Sequence, residues 1–222
     1  VTDPLLSDDL EALDAATSRL VAVASTLDDA AMRAASLLPD WSVGHVLTHL
    51  ARNADGMVNL VAWAESGVET PMYASIEARA ADIETGSGRP AGEIARDVTE
   101  SAARLRAALV RLVSGPDEAV DRLVLFGPPR PGTAADMPAW AVLYARLREV
   151  EIHHVDLGLA SYTPADWPPG FVSRTLDFLD SRSTGADVTG HPAEVLAWRL
   201  GRGAGPSVRR TDGSPAGEPP AW

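Results

Sequence analysis

Four stretches of apolar residues at helical spacing dominate this chain, and a sequence patterned this way has to pack helices against helices. Leu10, Leu13, Leu20 and Val21 keep the spacing from Ser7 to about Leu27, with Ser7 as the expected N-cap and Asp8 and Asp9 in the first turn. A second stretch runs from Val43 to about Ser66 behind the cap candidates Asp40 and Ser42. The third spans about Ala91 to Val113, with Ile94, Val98, Leu105, Leu109 and Leu112 on one stripe, and Gly115-Pro116 stops it. A fourth is expected to start near Pro138, a favoured first helical position, and to run to about Leu157, where Gly158 can cap it. Four amphipathic helices in roughly 160 residues predict a mainly α fold, a four-helix bundle with long crossovers.

The connections are legible in outline. A polar break at Asp28-Asp29 precedes a short helical piece ending near Pro39, and the long link 67–88 has room for one short helix at Ile76 to Ile83. Gly127 to Gly132 (GPPRPG) cannot be helical and reads as a loop. After Tyr162 the texture changes. Pro164, Pro168 and Pro169 form a linker-like stretch, followed by a helix at Phe171 to Ser181, a short strand near Asp187 to Thr189 and a helix at Ala193 to Leu200. A tail rich in Gly, Pro and Arg follows from Gly201. The expected division is therefore a bundle over 1–162 and a small C-terminal α/β annex over 163–222.

Composition narrows the function. The chain has 222 residues and a net charge of −12, which argues against nucleic acid or an anionic membrane surface as partner. It holds no run of about eighteen apolar residues, and its acidic N-terminal stretch does not read as a signal peptide, so cytoplasmic residence is the expectation; a monomer is expected as well. There is no cysteine, so the protein offers no thiol nucleophile and any sulfur chemistry must come from a thiol cofactor. All 19 basic residues are arginine, which excludes a Schiff-base lysine and a P-loop.

The candidate chemistry sits on the second and fourth helices. In the fourth, Glu149 and His153 are four apart and share a polar stripe with Arg146 and Asp156, whereas His154 falls in the apolar stripe of Leu143, Leu147, Val150 and Leu157. His154 therefore reads as a core histidine. Glu149 and His153 read either as metal ligands or as a salt-bridged exposed face. In the second helix, His49 lies roughly 120° and His45 roughly 160° from the centre of the core stripe, so His49 is nearer the flank where a bundle site would open. Two histidines and one carboxylate make a donor set suited to zinc with a fourth position left for water or substrate.

At these residues the chain resembles a known group. WSVGHVLTHLARNADG (41–56) and REVEIHHVDLG (148–158) are similar to the paired metal motifs of DinB-like bundle proteins. GVETPMYASIEAR (67–79), LAWRLGRG (196–203) and the ending EPPAW resemble, more narrowly, the mycothiol-dependent maleylpyruvate isomerase family. The resemblance implies zinc ligands at His49, Glu149 and His153 and active-site arginines at Arg79 and Arg202, which by themselves read as surface arginines. One departure is visible: the stretch Arg182 to Gly190 is shorter than the family's, which bears on the sheet content of the annex and on how Arg202 is held.

The resemblance also implies a reaction, cis–trans isomerisation of maleylpyruvate to fumarylpyruvate with mycothiol as cofactor. A thiolate held by zinc would add to the electron-poor double bond, the resulting single bond would rotate, and elimination would return the thiol. Arg79 and Arg202 would neutralise substrate carboxylates or the developing enolate. The rivals are a mycothiol-dependent S-transferase on the same scaffold and a non-catalytic metal-binding stress-response bundle. A zinc hydrolase is weaker, because Glu151 and Asp156 are only nearby candidates for its general base.

Overall fold

A computed structural model of the chain describes residues 4–127, 136–182 and 187–218. Most of the Gly127–Gly132 loop and the final four residues of the EPPAW ending lie outside them. The chain forms two compact units, 1–157 and 158–222.

In the first unit the order is α1 (Pro4–Ala24), α2 (Asp29–Arg33), α3 (Val43–Ser66), α4 (Ile76–Ser87), α5 (Ala91–Val113), α6 (Asp117–Val120), β1 (Leu123–Leu125), β2 (Asp136–Pro138) and α7 (Ala141–Asp156). The bundle consists of α1, α3, α5 and α7: α3 packs against α5 and α7, and α1 packs against the same two. Its core is aliphatic, with Leu20, Leu47, Leu50, Leu60, Leu109 and Leu143 excluded from solvent.

The bounds of α3 and α5 agree with the sequence periodicity because local chemistry sets them. The Ser42 side chain accepts from the His45 backbone N–H at the start of α3, and Gly67 ends that helix at φ +74°. Four expectations need correction. Ser7 lies inside α1, because the helix already begins at Pro4. The short piece after Asp28 ends at Arg33 and does not reach Pro39, since the chain doubles back: Val43 N–H donates to Ala34 O and Ser36 N–H to Trp41 O. Helix α4 continues past Ile83 to Ser87. Finally, Pro138 is in a strand rather than at a helix start. It pairs with Leu123 in the antiparallel β1–β2 ribbon, Ala139 N–H is bound to Arg122 O and Trp140 N–H to Val120 O, so α7 begins only at Ala141.

Two glycines let the crossover between α3 and α5 lie flat on α3. A Cβ at Gly44 would stand 2.7 Å from Ser87 O and 3.2 Å from Met32 O, and one at Gly56 would stand 2.8 Å from Met72 O. Backbone approaches this close exclude any side chain. They bring the 71–75 turn and α4 down onto the edge of the bundle.

The second unit holds a 3-10 turn (Pro164–Asp166), α8 (Pro169–Arg182), β3 (Val188–Thr189), α9 (Pro192–Arg199) and β4 (Arg209–Arg210). Helix α8 packs on α9, and β3 pairs antiparallel with β4, so the annex keeps a minimal two-stranded ribbon. Trp198, Val208 and Ala216 pack into one buried cluster beside this ribbon, and Trp198 Nε1–H donates to Gly217 O at 2.9 Å. Among the described residues, no helix is long and apolar enough to cross a membrane.

The Gly44 contact yields a stability test. Gly44→Ala forces a methyl group against the backbone oxygens of Ser87 and Met32 and should cost about 1–3 kcal/mol, lowering the melting temperature by several degrees. Gly92→Ala, where a new Cβ meets nothing within 4 Å, should be neutral or slightly stabilising. Calorimetric melts of the two variants against the parent check both.

Candidate metal centre

The polar stripe of α7 turns into the bundle rather than out to solvent. Arg146 and Asp156 are 2% and 0% exposed, and α7 is buried along most of its length. Helix α3 faces it with His49, which is 4% exposed because α4 and the 71–75 turn cover that flank. The two helices thereby bring His49, Glu149 and His153 together, with one donor atom from each lying within 4.8 Å of the others.

Glu149 Oε2 is the hub. It accepts from His49 Nε2 at 3.0 Å and lies 3.6 Å from His153 Nε2. Two donors each about 2.1 Å from one tetrahedral ion stand about 3.4 Å apart, so the two separations bracket what a zinc ion requires. His153 is also oriented from behind. Its Nδ1–H donates to the fully buried Asp156 carboxylate at 2.8 Å, which leaves Nε2 with its lone pair toward Glu149. The ring centroids of His49 and His153 are 4.8 Å apart and nearly perpendicular, and Trp41 packs edge-on against His49 at 5.7 Å.

Charge at the hub is balanced locally. Burial alone would raise the Glu149 pKa. The hydrogen bond from His49 outweighs it, with further electrostatic help from the two imidazoles and Arg146, and holds the carboxyl well below its usual range. Burial pushes His49 below the ordinary histidine value despite Glu149, favouring the neutral ring that a metal needs. Arg146 is lowered by burial to about 10 and stays charged at neutral pH; its Nη1 donates to Asn53 Oδ1 at 2.7 Å and to Leu50 O at 2.9 Å.

A cavity of about 430 Å³ opens onto this centre, and His49, Glu149 and His153 line it together with Arg79, Tyr73 and Arg148. Arg79 reaches it from α4. Its Nη2 donates to His49 Nδ1 at 3.0 Å, and its guanidinium carbon lies 5.6 Å from the Tyr73 ring centroid. Burial, as the main cause, raises the Tyr73 pKa against the opposing pull of Arg79 and Asn53, so the phenol stays protonated. Met57, Met72 and Phe126 supply apolar wall.

The remaining sequence candidates fall elsewhere. His154 is 1% exposed, in the core. His45 is bound into the α3 capping box through Ser42 and faces Glu84 and Ser87 through Nε2. The carboxylate and Ser87 meet the same ring nitrogen, so this cluster is not a nucleophile–base–orienter relay. Glu151 is 1% exposed and paired with Arg19 at 2.7 Å, and Asp156 is committed to His153. Arg202 lies in the second unit just beyond α9, where its backbone N–H donates to Ala197 O and its guanidinium to Leu200 O. Tyr73, Asn53 and Arg148 were not singled out by sequence reasoning. Asn53 follows His49 by four residues, a spacing that could have marked it.

Residues 13–158 match the family described as the mycothiol maleylpyruvate isomerase N-terminal domain. Two solved structures superimpose over nearly the whole chain. The crystal structure of the mycothiol-dependent maleylpyruvate isomerase is 31% identical, with a TM-score of 0.84, covering 98% of this chain and 97% of that one. A histidine-to-alanine mutant of that enzyme is 30% identical, with the same coverage and TM-score. No curated protein matches the chain.

The donor set defines a metal-content experiment. His49→Ala, Glu149→Ala and His153→Ala should each lower bound zinc by at least about tenfold at equal total zinc. Asp156→Asn should weaken it by about 10–100-fold by loosening His153. His45→Ala should leave the metal in place, and His154→Ala should cost about 1–3 kcal/mol of stability with zinc retained. Elemental analysis with chelator competition and thermal melts separates these outcomes.

Proposed function

The chain belongs to the mycothiol maleylpyruvate isomerase family, and from that membership we propose that it is a zinc- and mycothiol-dependent enzyme converting maleylpyruvate to fumarylpyruvate. The observation that carries the reading is the convergence of His49, Glu149 and His153 on a cavity that Arg79 also lines.

His49, Glu149 and His153 would hold the ion. Bound there, zinc would keep the cofactor thiol as a thiolate able to add reversibly to the substrate's double bond and leave a bond free to turn. The protein's own groups set the conditions. Asp156 fixes the tautomer of His153, and Arg146 and Asn53 brace the hub from beneath. A neutral His49 that gave Nε2 to a metal would carry its proton on Nδ1 and could not accept from Arg79, which would leave that guanidinium for anions in the cavity. Arg79 then offers a planar donor pair to a substrate carboxylate or to the charge that develops on the carbonyl oxygen. The protonated Tyr73 adds a neutral donor on the same wall, and Met57, Met72 and Phe126 limit water. Arg202 is assigned a share in anion stabilisation from the family's GRG pattern. Such an enzyme would act in the cytoplasm, where thiol cofactors are kept reduced.

The decisive assay is purified protein with maleylpyruvate, with and without mycothiol, following formation of the trans isomer. Turnover should require the thiol. Full activity in thiol-free buffer would overturn the reading, and a stable thiol–substrate adduct as sole product would assign an S-transferase instead. Arg79→Ala and Arg202→Ala should each lower turnover by at least about tenfold, roughly 1.4 kcal/mol, with zinc content intact.

A further inference from the structure

Arg146 buries a full positive charge in the bundle, and the protein answers only part of it. The side chain reaches from α7 to α3, where Nη1 donates to Leu50 O at 2.9 Å and to Asn53 Oδ1 at 2.7 Å. Both acceptors are neutral. Glu149 acts on the guanidinium through space, but among the described residues Arg146 forms no ion pair. A guanidinium has five N–H donors, and the edge formed by Nε and Nη2 has no hydrogen-bond partner among those residues. Neither atom of that edge is sealed from solvent, although the residue as a whole is only 2% exposed. A desolvated cation with an open donor edge is costly to the fold until something meets those donors.

Arg146 also lines a cavity of about 360 Å³ between α1 and α5, which shares no wall residue with the cavity at the metal centre. Its size falls toward the small end of ligand sites, roughly 300–1,000 Å³. Leu13, Val21, Ala102 and Leu105 give it apolar walls. Arg106, the other arginine on its wall, is committed to Asp14 at 2.9 Å, so a second carboxylate would find no open cation there. Apolar walls around one guanidinium disfavour phosphate or sulfate, whose hydrated oxygens need more donors than the cavity holds. They suit a carboxylate with an aliphatic tail, because the Nε–Nη2 edge is a fork that matches two carboxylate oxygens. We infer that this cavity is a second binding site, for a short aliphatic monocarboxylate whose head group takes the open edge of Arg146. The proposal does not depend on the isomerase reading.

The test is a methyl-detected NMR titration of the zinc-loaded full chain with hexanoate, and with 1-hexanol as its uncharged counterpart. Hexanoate should shift the methyl signals of Leu13, Val21 and Leu105 in a saturable way, and 1-hexanol should bind at least about tenfold more weakly. Ala102→Leu extends the α5 wall into the cavity without touching the arginine, so it should abolish those shifts and leave zinc content unchanged. Arg146→Met keeps an apolar stem and removes the charge, and it should bind hexanoate no better than 1-hexanol. Ala102→Leu decides the question even where Arg146→Met does not fold. Arg79→Ala, at the metal cavity, should titrate as the parent does. No saturable shift at Leu13, Val21 and Leu105 in the parent, shifts that persist in Ala102→Leu, or 1-hexanol bound as tightly as hexanoate would overturn the proposal. Shifts confined to the methyls of Met57 and Met72 would place the acid in the metal cavity and overturn it as well.

Discussion

A carboxylate has to remain ionised at the edge of a helical bundle, and the placing of Glu149 between two imidazoles follows from that requirement. Desolvation works against the anion, and the protein answers with His49 at 3.0 Å, His153 at 3.6 Å and the buried charge of Arg146 one turn earlier on the same helix. Each answer creates its own demand. Arg146 is itself desolvated and needs Asn53 and the Leu50 carbonyl, which are on α3. His153 needs the buried Asp156, whose backbone carbonyl in turn accepts from Leu37 in the turn after α2. The polar chain therefore ties α7 to α3 and to the α2–α3 turn, so the contacts that keep the hub ionised also fix the helix pair that carries the candidate ligands. Removing any one partner would leave a buried group uncompensated, the most costly kind of loss in such a network.

The crossover completes the site from outside. Gly44 and Gly56 permit α4 and the 71–75 turn to press against α3, and that approach covers His49 and delivers Arg79 and Tyr73 to the cavity. Without the covering layer His49 would stand on an exposed flank with an ordinary pKa. The desolvation that lowers it, and so favours the metal-ready neutral ring, is a product of the loop packing and not of the helix alone. Two residues without side chains thus have a direct chemical consequence some distance from either.

How much of this could be read from the sequence depended on whether the deciding interactions were local. The limits of α3 and α5 were legible because caps and stops lie within a few residues of the helix ends, Ser42 and Gly67 being the clearest. The start of α7 was not, because the pairing of Leu123 with Pro138 and the bonds from Ala139 and Trp140 back to 120–122 override the helical preference of a proline at that position. For the centre, periodicity placed His49 nearer the bundle's flank than His45 and put Glu149 and His153 on one stripe with Arg146 and Asp156. It could not show that this stripe faces inward, because polar residues on a helix ordinarily mark the solvent side. Arg148 escaped for a related reason: an arginine next to a ligand reads as surface until the crossover supplies the opposite wall of a cavity.

The overall charge makes those local arginines more consequential. With a net charge of −12, the protein as a whole repels a dianion, although at physiological ionic strength the repulsion fades over about 8 Å. Recognition is therefore decided inside the cavity mouth, where the low dielectric strengthens each contact and bulk ions no longer screen it. A diffuse positive surface could not serve there, since the surrounding acids would cancel it. A guanidinium at the cavity wall can, and Arg79 is placed there with its guanidinium carbon 5.6 Å from the Tyr73 ring centroid. An aromatic neighbour packs against an arginine without cancelling its charge, as a salt bridge would.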